Sequence, residues 1–199
     1  MAKVVVIESY LGQGRPDNSL LLYAQAQFLR HYQQLHPDDE IIHLNLNDEA
    51  KLTTVLTTRN IAHFWDQRSL AYIDLITQAD KLIISTNMIN FTVSPTLRTF
   101  IDNILVPDKT FTYNRQGQSC GLLRQTLKAQ LIMVQGDYQS AFGFAHFDTW
   151  LEHVLRFMGI QEIQTLVFDG VNTPEQAQLD LETKFRRKAG QFHQQVREF

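Results

Sequence analysis

The chain carries one cysteine, Cys120, in 199 residues. That excludes an internal disulfide and leaves no CxxC pair for a metal or a dithiol redox couple, so a reducing compartment is expected. Charge of one sign is lacking too. A formal net charge of −3 gives no general electrostatic reason to bind nucleic acid or an anionic membrane. No apolar run approaches the ~20 residues of a membrane span. Met1 to Glu8 lacks the charged start, apolar stretch and cleavage site of a signal peptide, and a cytoplasmic protein is expected. Several chemical signatures are also missing. There is no GxSxG nucleophile elbow. The loop containing Gly12 and Gly14 has Asp17 where a GxGxxG has its last glycine, and it has no P-loop lysine. The seven histidines are dispersed, and His146 and His153 have no carboxylate or third ligand at metal spacing.

What is present suits one globular domain over residues 1–199, 44% hydrophobic and 20% charged. Lys3 to Glu8 (KVVVIE) is a β-branched run without polar alternation, as in a strand buried on both faces of a parallel sheet. After the polar loop Ser9 to Pro16, the N-cap formers Asp17, Asn18 and Ser19 lead into Leu22, Ala26 and Leu29 at helical spacing. The unit recurs. Ile42, Leu44 and Leu46 alternate in a second strand, and Leu70, Ile73, Leu75 and Ile76 mark a helix. Lys81 to Thr86 is a third strand, followed by Pro95, suited to the first turn of a helix with Leu97, Ile101 and Leu105 on one side. Leu131 to Val134 and Ile163 to Phe168 read as the fourth and fifth strands. Between them Phe147, Leu151, Val154, Leu155 and Met158 form a helical stripe ended by Gly159. Phe111 to Leu123 reads as an irregular hairpin excursion. Thr173 to Phe199 reads as one closing helix, with the basic run Lys184, Arg186, Arg187, Lys188 as a solvated face without function.

Strands alternating with helices imply an α/β fold with a parallel sheet and helices on both faces, since parallel crossovers are long and right-handed. Five strands suggest the flavodoxin-like order 2-1-3-4-5. A ligand then sits beyond the carboxyl ends of the strands, at the switch point between strands 1 and 3. The loops after Glu8, Thr86 and Val134 are therefore the ones to read. The first, Ser9 to Ser19, sets hydroxyl, amide and backbone donors at a helix start, which suits an anion, although taken alone it reads first as a polar loop with an N-cap. The second, Asn87-Met88-Ile89-Asn90-Phe91, carries apolar side chains that either wall a flat aromatic ligand or tuck into the core. The third, Val134-Gln135-Gly136-Asp137-Tyr138, has a glycine permitting close backbone approach.

Together these segments resemble the FMN-dependent NADH-azoreductase and NAD(P)H quinone reductase family. The likeness runs through the Met88-Ile89-Asn90-Phe91 loop, Pro95 to Asp102, Thr110 to Tyr113, Leu155 to Ile160 and Phe168 to Gly170, and so covers nearly the whole chain. The resemblance implies a homodimer binding FMN, with NADH or NADPH as co-substrate and a quinone or azo compound as acceptor, in ping-pong order. It assigns phosphate to Ser9, Asn18 and helix amides, and the ring to Met88, Ile89, Asn90, Phe91, Gln135, Gly136 and Asp137. Its serine-rich phosphate segment falls on Pro16-Asp17-Asn18, its flavin-loop proline and tyrosine on Asn87 and Ile89, and its Ser-Arg-Gly-Gly on Val134 to Asp137. Asp17 and Asp137 thus stand where an anion binds, with Arg15 as a source of positive charge. They leave a second reading, a non-catalytic relative acting as a binding or regulatory module. No catalytic side chain is required, because the cofactor carries the chemistry.

Overall fold

The computed structural model describes residues Met1–Phe199. Its main sheet is built from β1 (Lys3–Ser9), β2 (Glu40–Asn45), β3 (Lys81–Asn87), β6 (Lys128–Val134) and β7 (Glu162–Phe168), all parallel, in the order β2-β1-β3-β6-β7. Counting only the sheet's own strands, this is the expected order 2-1-3-4-5. The excursion forms the antiparallel pair β4 (Phe111–Tyr113) and β5 (Ser119–Gly121). Helices α1 (Leu20–Leu35), α2 (Gln67–Gln78), α3 (Pro95–Ile104) and α4 (Phe147–Phe157) are the crossovers. No helix is long and apolar enough to cross a membrane.

Successive residues of the central strands supply two cores, because side chains alternate across a strand. Val5 and Ile7, with Leu82 and Ile84 and with Leu131 and Met133, face the layer of α2, α3 and α4. Val4 and Val6, Ile83 and Ile132 face the layer that includes α1. Each such side chain, fully buried, contributes about 1.5–3 kcal/mol. The starts of α2 and α3 are capped as their sequences demand. Asp66 accepts from the amides of Arg68 and Ser69, and Ser94 accepts from Leu97 with Pro95 following it.

Two helix faces are shifted from the sequence expectation. In α1 the buried face carries Leu21, Ala24, Gln25, Phe28 and Tyr32, while Ala26 is exposed. Three consecutive leucines make the register ambiguous in sequence, and Phe28 and Tyr32, the larger apolar surfaces, decide it by packing edge-on or tilted against Phe192 and Phe199. In α2 Tyr72 is buried in place of the exposed Leu70, for the same reason of area.

The closing helix is a larger correction. Residues from Thr173 onward form α5 (Pro174–Ala177), α6 (Leu181–Arg186) and α7 (Ala189–Glu198). The break after α5 comes where Asp180 caps a new start, accepting from the Thr183 amide at 2.7 Å. Turning there brings Phe185 into edge contact with Tyr23 and Phe192 and into a stack on Phe168. Tertiary burial of these rings outweighs the continuity of one helix.

At the amino ends of the strands, charged groups are mutually satisfied. Asp80 accepts from the Lys3 amide at 2.8 Å and from Arg124 at 3.1 Å. Asp39 accepts from the Ala2 amide at 2.6 Å and the Tyr32 hydroxyl at 2.5 Å, and Lys81 donates to the Tyr32 oxygen at 2.9 Å.

Candidate cofactor site at the carboxyl end of the sheet

Three loops meet beyond the carboxyl ends of β1, β3 and β6. The β1 loop folds back on itself: Tyr10 Oη accepts from the Gly14 amide at 3.0 Å, and the Asn18 Oδ1 accepts from the Arg15 amide at 2.5 Å. The Arg15 carbonyl in turn accepts from the amides of Asn18 and Ser19. This turn delivers Ser19 as N-cap of α1 with extended backbone, yet its hydroxyl makes no capping bond. The amides of Leu20, Leu21 and Leu22 have no acceptor within the helix or from a side chain. A 16-residue helix therefore points a partly positive end, with free donors, at the switch point.

Asn87 ties the β1 and β3 loops together. Its Oδ1 accepts from the Leu11 amide at 3.0 Å and its Nδ2 donates to the Leu11 carbonyl at 3.2 Å. A proline at this position has no such side chain, so the asparagine supplies a clamp in place of a rigid backbone. Asn47 adds a bond to the Tyr10 carbonyl at 2.8 Å. Beyond Asn87, Met88 donates to the Val134 carbonyl, and Ile89 and Thr92 exchange two hydrogen bonds around a two-residue turn. Asn90 and Phe91 form that turn with φ of 48° and 67°. Positive φ is easy for asparagine and uncommon for phenylalanine, which stores on the order of 1 kcal/mol of strain. The Phe91 ring stands outward from this turn, 47% exposed, in edge-type contact with Phe142 and Phe144 at centroid separations of 5.2 and 5.0 Å. Of the two loop readings left open by sequence, Phe91 therefore stands clear of the core, whereas Met88 packs against it and Ile89 is half-buried.

The β6 loop runs beside the exit of β7. Gln135 donates to the Phe168 carbonyl, Val171 and Asn172 donate to the carbonyls of Gln135 and Gly136, and Gly170 to that of Asp137. A Cβ at Gly136 would lie 3.0 Å from Nδ2 of Asn172, so a larger residue here requires that side chain to shift. Gln135 is buried, donating to the Asp137 carbonyl at 2.9 Å, and its Oε1 has no partner. Asp137 is exposed, one carboxylate oxygen accepting from the Tyr138 amide.

Between these loops lies a cavity of about 250 Å³ bordered by Tyr10, Asn18, Ser19, Leu20 and Leu21 on one side and by Asn87, Val134, Val171 and Asn172 on the other. Leu181 and Lys184 of α6 close it. A second, wholly polar hollow of about 280 Å³, bordered by Gly136, Asp137, Asn172, Thr173 and Pro174, opens next to it at the shared Asn172.

The residues expected from sequence are thus sorted by place. Asn18 borders the cavity, and Gly136 and Asp137 border the neighbouring hollow. Asn90 and Phe91 form an exposed turn of the β3 loop and border neither hollow. Ser9 is not at the cavity: it is fully buried and donates its hydroxyl to the Ser85 carbonyl at 2.9 Å, binding β1 to β3. Asp17 and Arg15 are exposed and do not border the cavity. Sequence reading missed Tyr10, Ser19 as a free hydroxyl, Asn87 and the rings of Phe142 and Phe144. It also set aside Lys184 as part of a solvated run. Only the Asp180 cap, a local signal, announces the turn that brings Lys184 inward.

A mononucleotide fits this donor set. A phosphate would meet free helix amides, the unpaired Ser19 hydroxyl and an amine, and a flat ring would meet the exposed Phe91 and the backbone of the Gly136 loop.

Comparison with known proteins agrees with the architecture. A family model described as flavodoxin-like fold matches residues 3–191. An FMN-dependent NADH:quinone oxidoreductase of Mycoplasma mobile is 34% identical over 179 residues, covering 89% of this chain and 88% of that protein. Its namesake in Metamycoplasma arthritidis is 33% identical over 199 residues, 96% of this chain and 100% of that protein. Among solved structures, an azoreductase from Bacillus anthracis str. Sterne superposes with a TM-score of 0.82 at 21% identity, with both chains covered in full. An FMN-dependent NADH-azoreductase from Bacillus anthracis str. Ames Ancestor, in complex with FMN, gives 0.81 at 19% identity, covering 100% of this chain and 99% of that one. With the family model spanning nearly the whole length and relatives above 30% identity along it, this chain belongs to the flavodoxin-like family that includes the FMN-dependent NADH:quinone oxidoreductases.

Proposed function

We propose that the chain is an FMN-dependent oxidoreductase that takes reducing equivalents from NADH and delivers them to a quinone or azo compound. The observation that carries this is the convergence of unsatisfied donors, the α1 amides and the Ser19 hydroxyl, on the cavity at the β1–β3 switch point, in a chain related to proteins named for that activity. The chemistry that bound FMN supplies is acceptance of a hydride from a nicotinamide and return of two electrons to an acceptor. The chain's own work is binding and orientation. The α1 amides, Ser19 and Asn18 hold the phosphate, the Asn87 clamp fixes the loops to each other, and Phe91 with Phe142 and Phe144 presents an apolar face to planar reactants. Donor and acceptor using that face in turn would give the ping-pong order that the family resemblance implies.

Pairing into a homodimer belongs to the same reading. Leu105, Trp150, Val154 and Phe157 border an apolar groove of about 350 Å³ on the α3–α4 side, a face that gains by being covered by a second copy. Light scattering at micromolar concentration is expected to give twice the 23.1 kDa chain mass. A cytoplasmic setting suits the exposed thiol of Cys120 and a supply of NADH.

The Asp137 carboxylate beside the Gly136 loop favours the second reading, a relative that has lost flavin. The two part on one measurement. The purified protein is expected to be yellow, or to take up FMN in equilibrium dialysis. No uptake from excess FMN leaves the non-catalytic module as the reading.

A further inference from the structure

We infer that Lys184 is the cation that neutralises the flavin phosphate, a charge that the β1 loop does not bring to the cavity. This rests on the proposed FMN site and adds a residue to it from the far end of the chain. Three observations lead to it. Ser19 is 8% exposed and borders the cavity, and its hydroxyl makes no hydrogen bond. In a residue otherwise buried, this hydroxyl opens on the cavity and is free to donate, beside free amides of a long helix. Lys184 borders the same cavity, is half-buried, and has no hydrogen bond or ion pair to any acidic group, although its neighbour Arg186 is paired with Glu182. An anion in the cavity would give this free ammonium a charge-assisted partner.

The placement of Lys184 is fixed by local structure. The Asp180 cap starts α6 so that Leu181 and Lys184, three apart, share the face toward the cavity. Phe185, buried against Phe168, Tyr23 and Phe192, locks the helix in that rotation. The other nearby cations are less suited. Arg15 is exposed and off the cavity, and Arg187 and Lys188 border only the adjoining crevice, which shares Leu20, Val171 and Lys184 with the cavity and includes Asp169.

The test compares FMN with riboflavin, which has the same ring and no phosphate, by flavin fluorescence quenching on the full chain. Lys184→Met is expected to raise the FMN dissociation constant about tenfold and to flatten its dependence on salt, leaving riboflavin within about twofold. Lys184→Arg is expected to restore most of the FMN affinity, and Arg187→Met to leave both ligands unchanged. Unaltered FMN binding in Lys184→Met overturns the inference while the FMN site stands. Equal losses for FMN and riboflavin also overturn it, showing a role in shape. Binding of neither flavin by the unaltered chain removes the proposed function, and this inference with it.

Discussion

The two ends of the sheet are made of similar residues and behave differently. At the amino end, Asp39, Asp80, Tyr32, Lys81, Arg124 and Lys3 form a closed set in which each charge meets a donor or an acceptor. At the carboxyl end, Ser19, Lys184, the first amides of α1 and Gln135 Oε1 have no partners within the chain, and Phe91 is held in an uncommon backbone conformation. Polar groups that satisfy one another stabilise the fold; polar groups left unsatisfied are available to a ligand. The same parallel sheet separates the two roles by about seven residues of strand length.

The titration of the amino end follows from its geometry. Burial pushes the Tyr32 phenol far up, helped by its bond to Asp39. Burial also acts to raise Asp39, but the Ala2 amide and the Tyr32 hydroxyl outweigh it and hold the carboxyl below its usual range. Asp80 is lowered chiefly by the Lys3 amide, with Arg124 assisting.

The largest expected effect comes from opening the closed set. Asp39→Ala leaves the Tyr32 hydroxyl and the Ala2 amide without an acceptor and should cost about 2–3 kcal/mol in urea unfolding. FMN affinity under native conditions should be unchanged, because the site lies at the opposite end. A loss of FMN affinity in this variant would break the separation between the two ends.

Acid should act on the same end. Asp39 and Asp80 have folded-state values below those of the unfolded chain, so their stabilisation is present above the ordinary carboxylate value and is lost as pH falls through the lowered ones. Unfolding free energy is therefore expected to decline below about pH 4. In Asp80→Asn that decline should be shallower, as read from urea midpoints across pH.

At the carboxyl end the effects are smaller on stability and larger on binding. Asn87→Ala removes both bonds to Leu11 and should cost about 1 kcal/mol of stability, while weakening FMN severalfold by freeing the β1 loop. Equal FMN affinity with lowered stability would show that the clamp serves the fold alone. The smallest effect is expected for Asp17. Its carboxylate is exposed and off the cavity, so its repulsion of a phosphate acts through water. Asp17→Ser should tighten FMN by no more than about threefold at low ionic strength, and the gain should vanish in salt. A tenfold gain would place the carboxylate against the phosphate.

Much of the fold is legible in sequence because strands buried on both faces are written as continuous β-branched runs, as in KVVVIE and KLIIST. Helix starts at Pro95 and after Ser19 are legible for the same local reason, the chemistry of caps. The flavin-loop turn is visible as Asn90-Phe91, though nothing local shows which way the Phe91 ring points. The phosphate side is legible only in outline. Sequence order places Ser9, Asp17 and Asn18 together, yet the pleat turns Ser9 into the sheet, the loop carries Asp17 to solvent, and Asn18 alone borders the cavity.

The sequence by itself determined the alternation of strand and helix, the position of the switch point and the loops that meet there, since each rests on periodicity and capping within a short stretch of chain. Only the tertiary structure decided the rotation of α1, the break of the last helix into three and the approach of Lys184 to a loop more than 160 residues away. Those choices depend on which large rings can be buried together, Phe28 and Tyr32 against Phe192 and Phe199, and Phe185 against Phe168. Burial of that kind is a property of distant residues in contact, which no local pattern encodes.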